Sequence, residues 1–145
     1  MSGYEFRLQK LLEIRIDKEE ESKIKFKEAQ SEKNKTENKL TDLKEKYALE
    51  RNRNSSSTVI ERKIQANYLR AMSMSIDDTN DELDKHIINL ENKRSELEKK
   101  QIERKTVEIL KDKKMDAYNK EQAMIEQKTN DEFALYGFIR RNHNR

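Results

Sequence analysis

Apolar positions recur along the chain at the alternating three- and four-residue spacing of a two-stranded coiled coil. From Tyr4 to about Asn52, Leu8, Leu12, Phe26, Leu40 and Tyr47 share one heptad phase, with Ala29, Thr36 and Leu43 between them. That pattern predicts one long helix over residues 4–52. The same phase puts Arg15, Glu19, Ser22 and Lys33 at seam positions. A seam this polar is weak, because each charge in it must snorkel or pair. Acid-to-base pairs four residues apart, such as Glu19–Lys23, Glu21–Lys25 and Asp42–Lys46, add about 0.2–0.5 kcal/mol each to the outer surface.

The run Arg51-Asn52-Arg53-Asn54-Ser55-Ser56-Ser57-Thr58 interrupts this pattern. Its serines and asparagines compete for their own backbone, which predicts a turn at 53–58. Thr58 and Glu61 have capping-box spacing, so a new helix is expected there. Thr79 and Glu82 repeat that spacing, which predicts a softer break near Ser73–Thr79 and therefore a short cap helix over 58–73. A long helix over 76–137 follows, with Leu69, Ile76, Leu83, Leu90 and Leu97 repeating every seven residues and Ile87 at an intervening core position. After Leu97 the ladder is expected to slip by one residue to Leu110, Ala117 and Met124. Gly137 reads as a C-cap before a basic tail, 138–145. The fold class is all-α: one coiled-coil domain over 1–145, a long antiparallel two-helix hairpin with a short capping helix. Helices of roughly 50–60 residues at ~1.5 Å per residue would make a rod of about 75–90 Å.

Composition narrows the chemistry. Of 145 residues, 42% are charged and 32% hydrophobic, with no Pro or Cys and two Gly; a globular domain carries roughly 45–50% apolar residues. Disulfides and thiolate metal sites are excluded, and two glycines cannot build a phosphate loop or a nucleophile elbow. The near-balance of 32 basic and 29 acidic residues, net +3, favours a helical seam over disorder. With no run of 18 apolar residues and no secretory signal, direct membrane insertion is not expected, and a cytosolic location is.

Glu82 and His86 share a helix face, but with no third ligand in view no metal is expected. Ser55, Ser56 and Ser57 have no base at a meaningful spacing, and His143 has no assigned role. A rod offers no pocket to shift carboxylate pKa values apart, so neither an enzyme nor a cofactor is expected. Nucleic-acid binding is disfavoured because basic residues alternate with acids, except in the tail. The apolar segment Tyr68, Leu69, Met72, Met74 and Ile76 has two readings. It either closes the end of the coil or forms a docking patch for a partner.

The chain's two ends carry a resemblance. Tyr4-Glu5-Phe6-Arg7-Leu8-Gln9-Lys10-Leu11-Leu12-Glu13-Ile14-Arg15 resembles the opening of flagellar export proteins of the FliJ family, and Asp131-Glu132-Phe133-Ala134 is similar to their C-terminal signature. The resemblance implies a cytoplasmic component of the bacterial flagellar type III export apparatus, peripheral to the inner face of the cell membrane at the flagellar base. It implies a hairpin similar to the stalk of rotary ATPases, which docks in the hexameric export ATPase, stimulates it and links it to the membrane export gate. A general chaperone role and contacts with export chaperones are implied as well. The residues expected to face the ATPase are Phe6, Arg7, Leu8, Gln9, Lys10, Leu11, Leu12 and Arg15 with Asp131, Glu132, Phe133 and Ala134. Arg140 and Arg141 are expected beside them, at a tip where the two termini lie together. Tyr68, Leu69, Met72 and Ile76 are expected to meet the gate, although Ala71 and Met72 stand where the family commonly has an aromatic. Two other readings stay open: an unrelated coiled-coil chaperone or tether that binds clients through its tips, and a nucleic-acid binder acting through its basic tail.

Overall fold

A computed structural model describes residues 3–53 and 58–145. Two helices make up the fold, α1 (Gln9–Asn52) and α2 (Val59–His143), and they pack against each other as an all-α helical hairpin. Packing divides the chain into two units, one formed by Lys18–Lys100 and the other by Met1–Asp17 with Gln101–Arg145.

In the first of these units the seam is the one the heptads describe. On α1, Glu19, Ser22, Ala29, Thr36 and Leu40 are buried, and Phe26, Lys33, Leu43 and Tyr47 are half-buried. On α2, Met72, Thr79 and Leu90 are buried between half-buried Leu69, Ile76, Leu83 and Leu97. Lys23 holds the buried Glu19 carboxylate at 3.6 Å and Glu20 at 3.1 Å. The hydrogen bond that Lys23 donates to Glu20, then the charges of Glu20 and Glu19, raise the Lys23 pKa. Across the seam, Gln65 meets Glu50 and, further along, Lys39 Nζ lies 3.9 Å from Glu82 Oε2, so the helices run antiparallel.

Thr58 Oγ1 accepts the Glu61 amide at 3.2 Å, which is the N-cap expected of it. Gln65 Nε2 donates to the carbonyls of Glu50 (2.8 Å) and Arg53 (3.4 Å), capping the end of α1 from the opposite helix. The triple serine of the expected turn lies outside the described residues.

Two expectations fail in this unit. The break at Ser73–Thr79 is absent, because α2 runs through it and the 58–73 segment is simply its first turns. Thr79 is a buried seam residue whose hydroxyl donates to the Ser75 carbonyl at 2.7 Å, so it is not available as a cap. Ile87 is 44% exposed. The three-then-four step from Leu83 to Leu90 passes through half-buried His86, one residue earlier.

In the other unit Leu12 and Val107 are buried, and Arg15, Arg104 and Lys111 are half-buried. Arg15 Nη1 donates to the Glu103 carbonyl (2.8 Å), and Lys111 Nζ donates to Gln9 Oε1 (2.8 Å). The expected one-residue slip after Leu97 does not occur. The seven-residue ladder continues through Arg104, Lys111 and Tyr118, whereas Leu110, Ala117 and Met124 are exposed. Long cationic side chains occupy the seam here, their stems covering apolar surface while their heads reach polar partners.

Both ends of the helices depart from the sequence reading. α1 begins at Gln9 instead of residue 4, after a turn closed by the Gln9 amide on the Phe6 carbonyl (3.1 Å). The preceding segment leaves the helical path so that Tyr4 packs on Tyr118, with ring centroids 5.3 Å apart. α2 continues to His143, six residues beyond the expected C-cap. Gly137 therefore lies inside the helix, where a Cβ would meet nothing within 4 Å.

Candidate functional site

The N-terminal motif forms a small docked tip. Leu12 is the buried anchor, with Phe6, Gln9 and Leu11 half-buried around it. Gln9 is fixed by Lys111, and Arg15 by the Glu103 carbonyl. Arg7, Leu8 and Lys10 face outward. Tyr4, Phe6 and Arg7 line two open clefts against α2, one shared with Lys111 and the other with Leu110 and Lys114. The motif thus separates into residues that hold α2 (Gln9, Leu12, Arg15) and residues that offer a surface (Arg7, Leu8, Lys10).

The C-terminal motif lies elsewhere. The N-terminal segment packs on α2 between Leu110 and Tyr118, so it ends well short of Phe133. Beyond Tyr118 every residue of α2 except Gly137 is exposed, including Asp131, Glu132, Ala134, Arg140, Arg141 and Phe133, the last at 68%. The two motifs are therefore not side by side at one tip. Among the described residues, α1 begins at Gln9 and the segment before it turns aside to Tyr118, so none of them packs against the last turns of α2.

What the sequence reading missed is this uncovered stretch, which presents Met124, Ile125, Phe133, Leu135, Tyr136, Phe138 and Ile139 to solvent. Its signal was present: continuing the Leu69–Leu97 ladder by sevens reaches Ile125 and Ile139.

The middle segment also divides. Met72 is buried, and Leu69 and Ile76 are half-buried, all three in the seam. Tyr68 is 48% exposed and follows exposed Ile60 and Ile64 at four-residue steps along one face. Of the four residues expected at a gate contact, Tyr68 is the one presented.

Glu82 Oε1 and His86 Nε2 stand 3.6 Å apart, and the described residues contain no group of three or more metal-ligating side chains. No helix among them is long and apolar enough to cross a membrane.

No curated protein and no solved structure matches the chain. The family described as flagellar FliJ protein matches residues 4–143, which takes in the docked tip, both helices and the uncovered end of α2. By that match over nearly its whole length, the chain belongs to the flagellar FliJ protein family.

Proposed function

We propose that this protein is a coiled-coil stalk that docks in the hexameric flagellar export ATPase, stimulates it, and connects it to the membrane export gate from the cytoplasmic side. Family membership supports the coarser statement, a non-enzymatic component of the flagellar export apparatus. The observation that carries the finer reading is the uncovered end of α2. A helix continues past its partner with Phe133, Arg140 and Arg141 exposed, and close to its root lie the outward-facing Arg7 and Lys10. A narrow, basic, single-helix end can enter a pore lined with acids, and its charge steers the approach. At the hairpin end, the face carrying Ile60, Ile64 and Tyr68 is the surface available to the gate. Met72 acts there indirectly, by holding the helix that presents Tyr68.

ATP turnover by the export ATPase tests this reading. Phe133→Ala combined with Arg140→Glu and Arg141→Glu is expected to abolish stimulation with helix content unchanged, and Arg7→Glu with Lys10→Glu to weaken it. Arg15 is unsuitable for this purpose, since its guanidinium holds the Glu103 carbonyl. Stimulation by the wild-type chain should fall with added salt, because exposed charges are screened over about 8–10 Å. Full stimulation by the Phe133 triple variant would overturn the docking of this end.

A further inference from the structure

We propose that residues 119–143 of α2 pair antiparallel with the same stretch of a second copy, forming a symmetric interface that continues the intrachain seam. The first ground is continuity. The buried and half-buried positions of α2 from Leu69 to Tyr118 keep a single heptad phase, and that phase runs past the end of α1 into the uncovered helix. It places Ile125, Glu132 and Ile139 on one core row, and Glu121, Lys128 and Leu135 on the other. Met124 and Phe138 flank one side of these rows, and Tyr136 flanks the other. Of the seven large apolar side chains exposed after Tyr118, only Phe133 lies off this face. Gly137, Ala123 and Asn130 mark the opposite face. This is a seam without a partner, roughly seven turns long.

The second ground is self-complementarity. In an antiparallel pair each core position of one row meets one of the other row. Centred on Asn130, that rule sets Ile125 against Leu135 of the second copy, and Lys128 against Glu132 of the second copy. Met124 then flanks Phe138 of the second copy. These apolar and opposite-charge pairs each occur twice by symmetry, and at the two outer ends Ile139 meets Glu121 of the second copy, a mixed pair where the interface gives way to solvent. Glu121, Asp131 and Glu132 on or beside the stripe disfavour an anionic lipid surface as its occupant.

The pair and the ATPase-docked state exclude each other, because a paired 119–143 stretch is no longer a single-helix end. The dimer is a state of the free chain, and its test reads association rather than ATP turnover.

Sedimentation equilibrium of the full chain tests it, with a concentration-dependent monomer–dimer equilibrium expected. Ile125→Glu with Leu135→Glu should abolish the dimer and leave helicity intact, since both side chains are exposed in the single chain. Asp131→Asn should tighten it, because Asp131 faces its own copy near the symmetry axis. The chain has no cysteine, so Thr129→Cys, beside the axis, should cross-link through a short bis-maleimide. Gln122→Cys, whose copies lie ~24 Å apart along the axis in this register, should not. A wild-type chain that stays monomeric throughout, a dimer that survives the double Glu change, or equal cross-linking at both positions would overturn the proposal.

Discussion

Met72 and Tyr68 sit four residues apart and serve opposite purposes. Met72 is 7% exposed in the seam, whereas Tyr68 presents half its surface to solvent. Truncating Met72 to Ala removes buried contacts and leaves a gap, and is expected to cost about 2 kcal/mol. Tyr68→Ala should leave the stability within roughly 0.5 kcal/mol of its original value. Thermal unfolding followed by circular dichroism separates the two. Equal losses would mean that Tyr68 packs as tightly as Met72 and offers no free surface.

At the scale of the element, α2 is notable for what it contains without stopping. It passes a threonine at a capping-box spacing and a glycine near its end, and both are interior residues. Gly137 costs a helix interior about 0.5–1 kcal/mol relative to alanine, by backbone entropy. Nothing lies within 4 Å of where its Cβ would be. Gly137→Ala is therefore expected to slow amide hydrogen exchange across residues 133–143 and to raise helicity slightly. Faster exchange would show that the glycine is needed as a bend or a terminus. The start of α2 behaves as its sequence indicates, with Thr58 capping and Gln65 closing the end of α1.

For the molecule as a whole, the limiting quantity is the apolar content of the seam. Glu19, Ser22, Thr36 and Thr79 are its buried polar members. The hydroxyls of Thr36 and Thr79 donate to the carbonyls of Glu32 (3.1 Å) and Ser75 (2.7 Å), four residues back. Those carbonyls belong to helical turns whose own amides already serve them, so losing the hydroxyl orphans nothing. Thr36→Val with Thr79→Val exchanges two buried hydroxyls for methyl groups and should add about 1 kcal/mol. For a chain of this size that is a rise of roughly 2–4 °C in Tm. A lower Tm would mean that the hydroxyl bonds themselves hold the seam.

How much of this was legible follows from what periodicity can carry. The α1 seam, including its polar members Arg15, Glu19, Ser22 and Lys33, was readable because burial in a two-stranded coil depends on phase and not on hydrophobicity. The all-α class followed from absent proline and scarce glycine, and the N-cap at Thr58 from local chemistry alone. Where the reading went by residue type against phase, it failed. Ile87 was preferred to His86, and Leu110 to Lys111, although in each case the polar neighbour keeps the ladder. Capping at Thr79 and termination at Gly137 were local signals overridden by packing and by the propensity of the flanking turns. The seven-residue repeat fixed which face of each helix is a seam, because that face is a property of one helix. Only the tertiary structure decided where α1 stops covering α2, since that depends on the pairing register of two helices far apart in sequence, and it is this register that leaves the last turns of α2 without a partner.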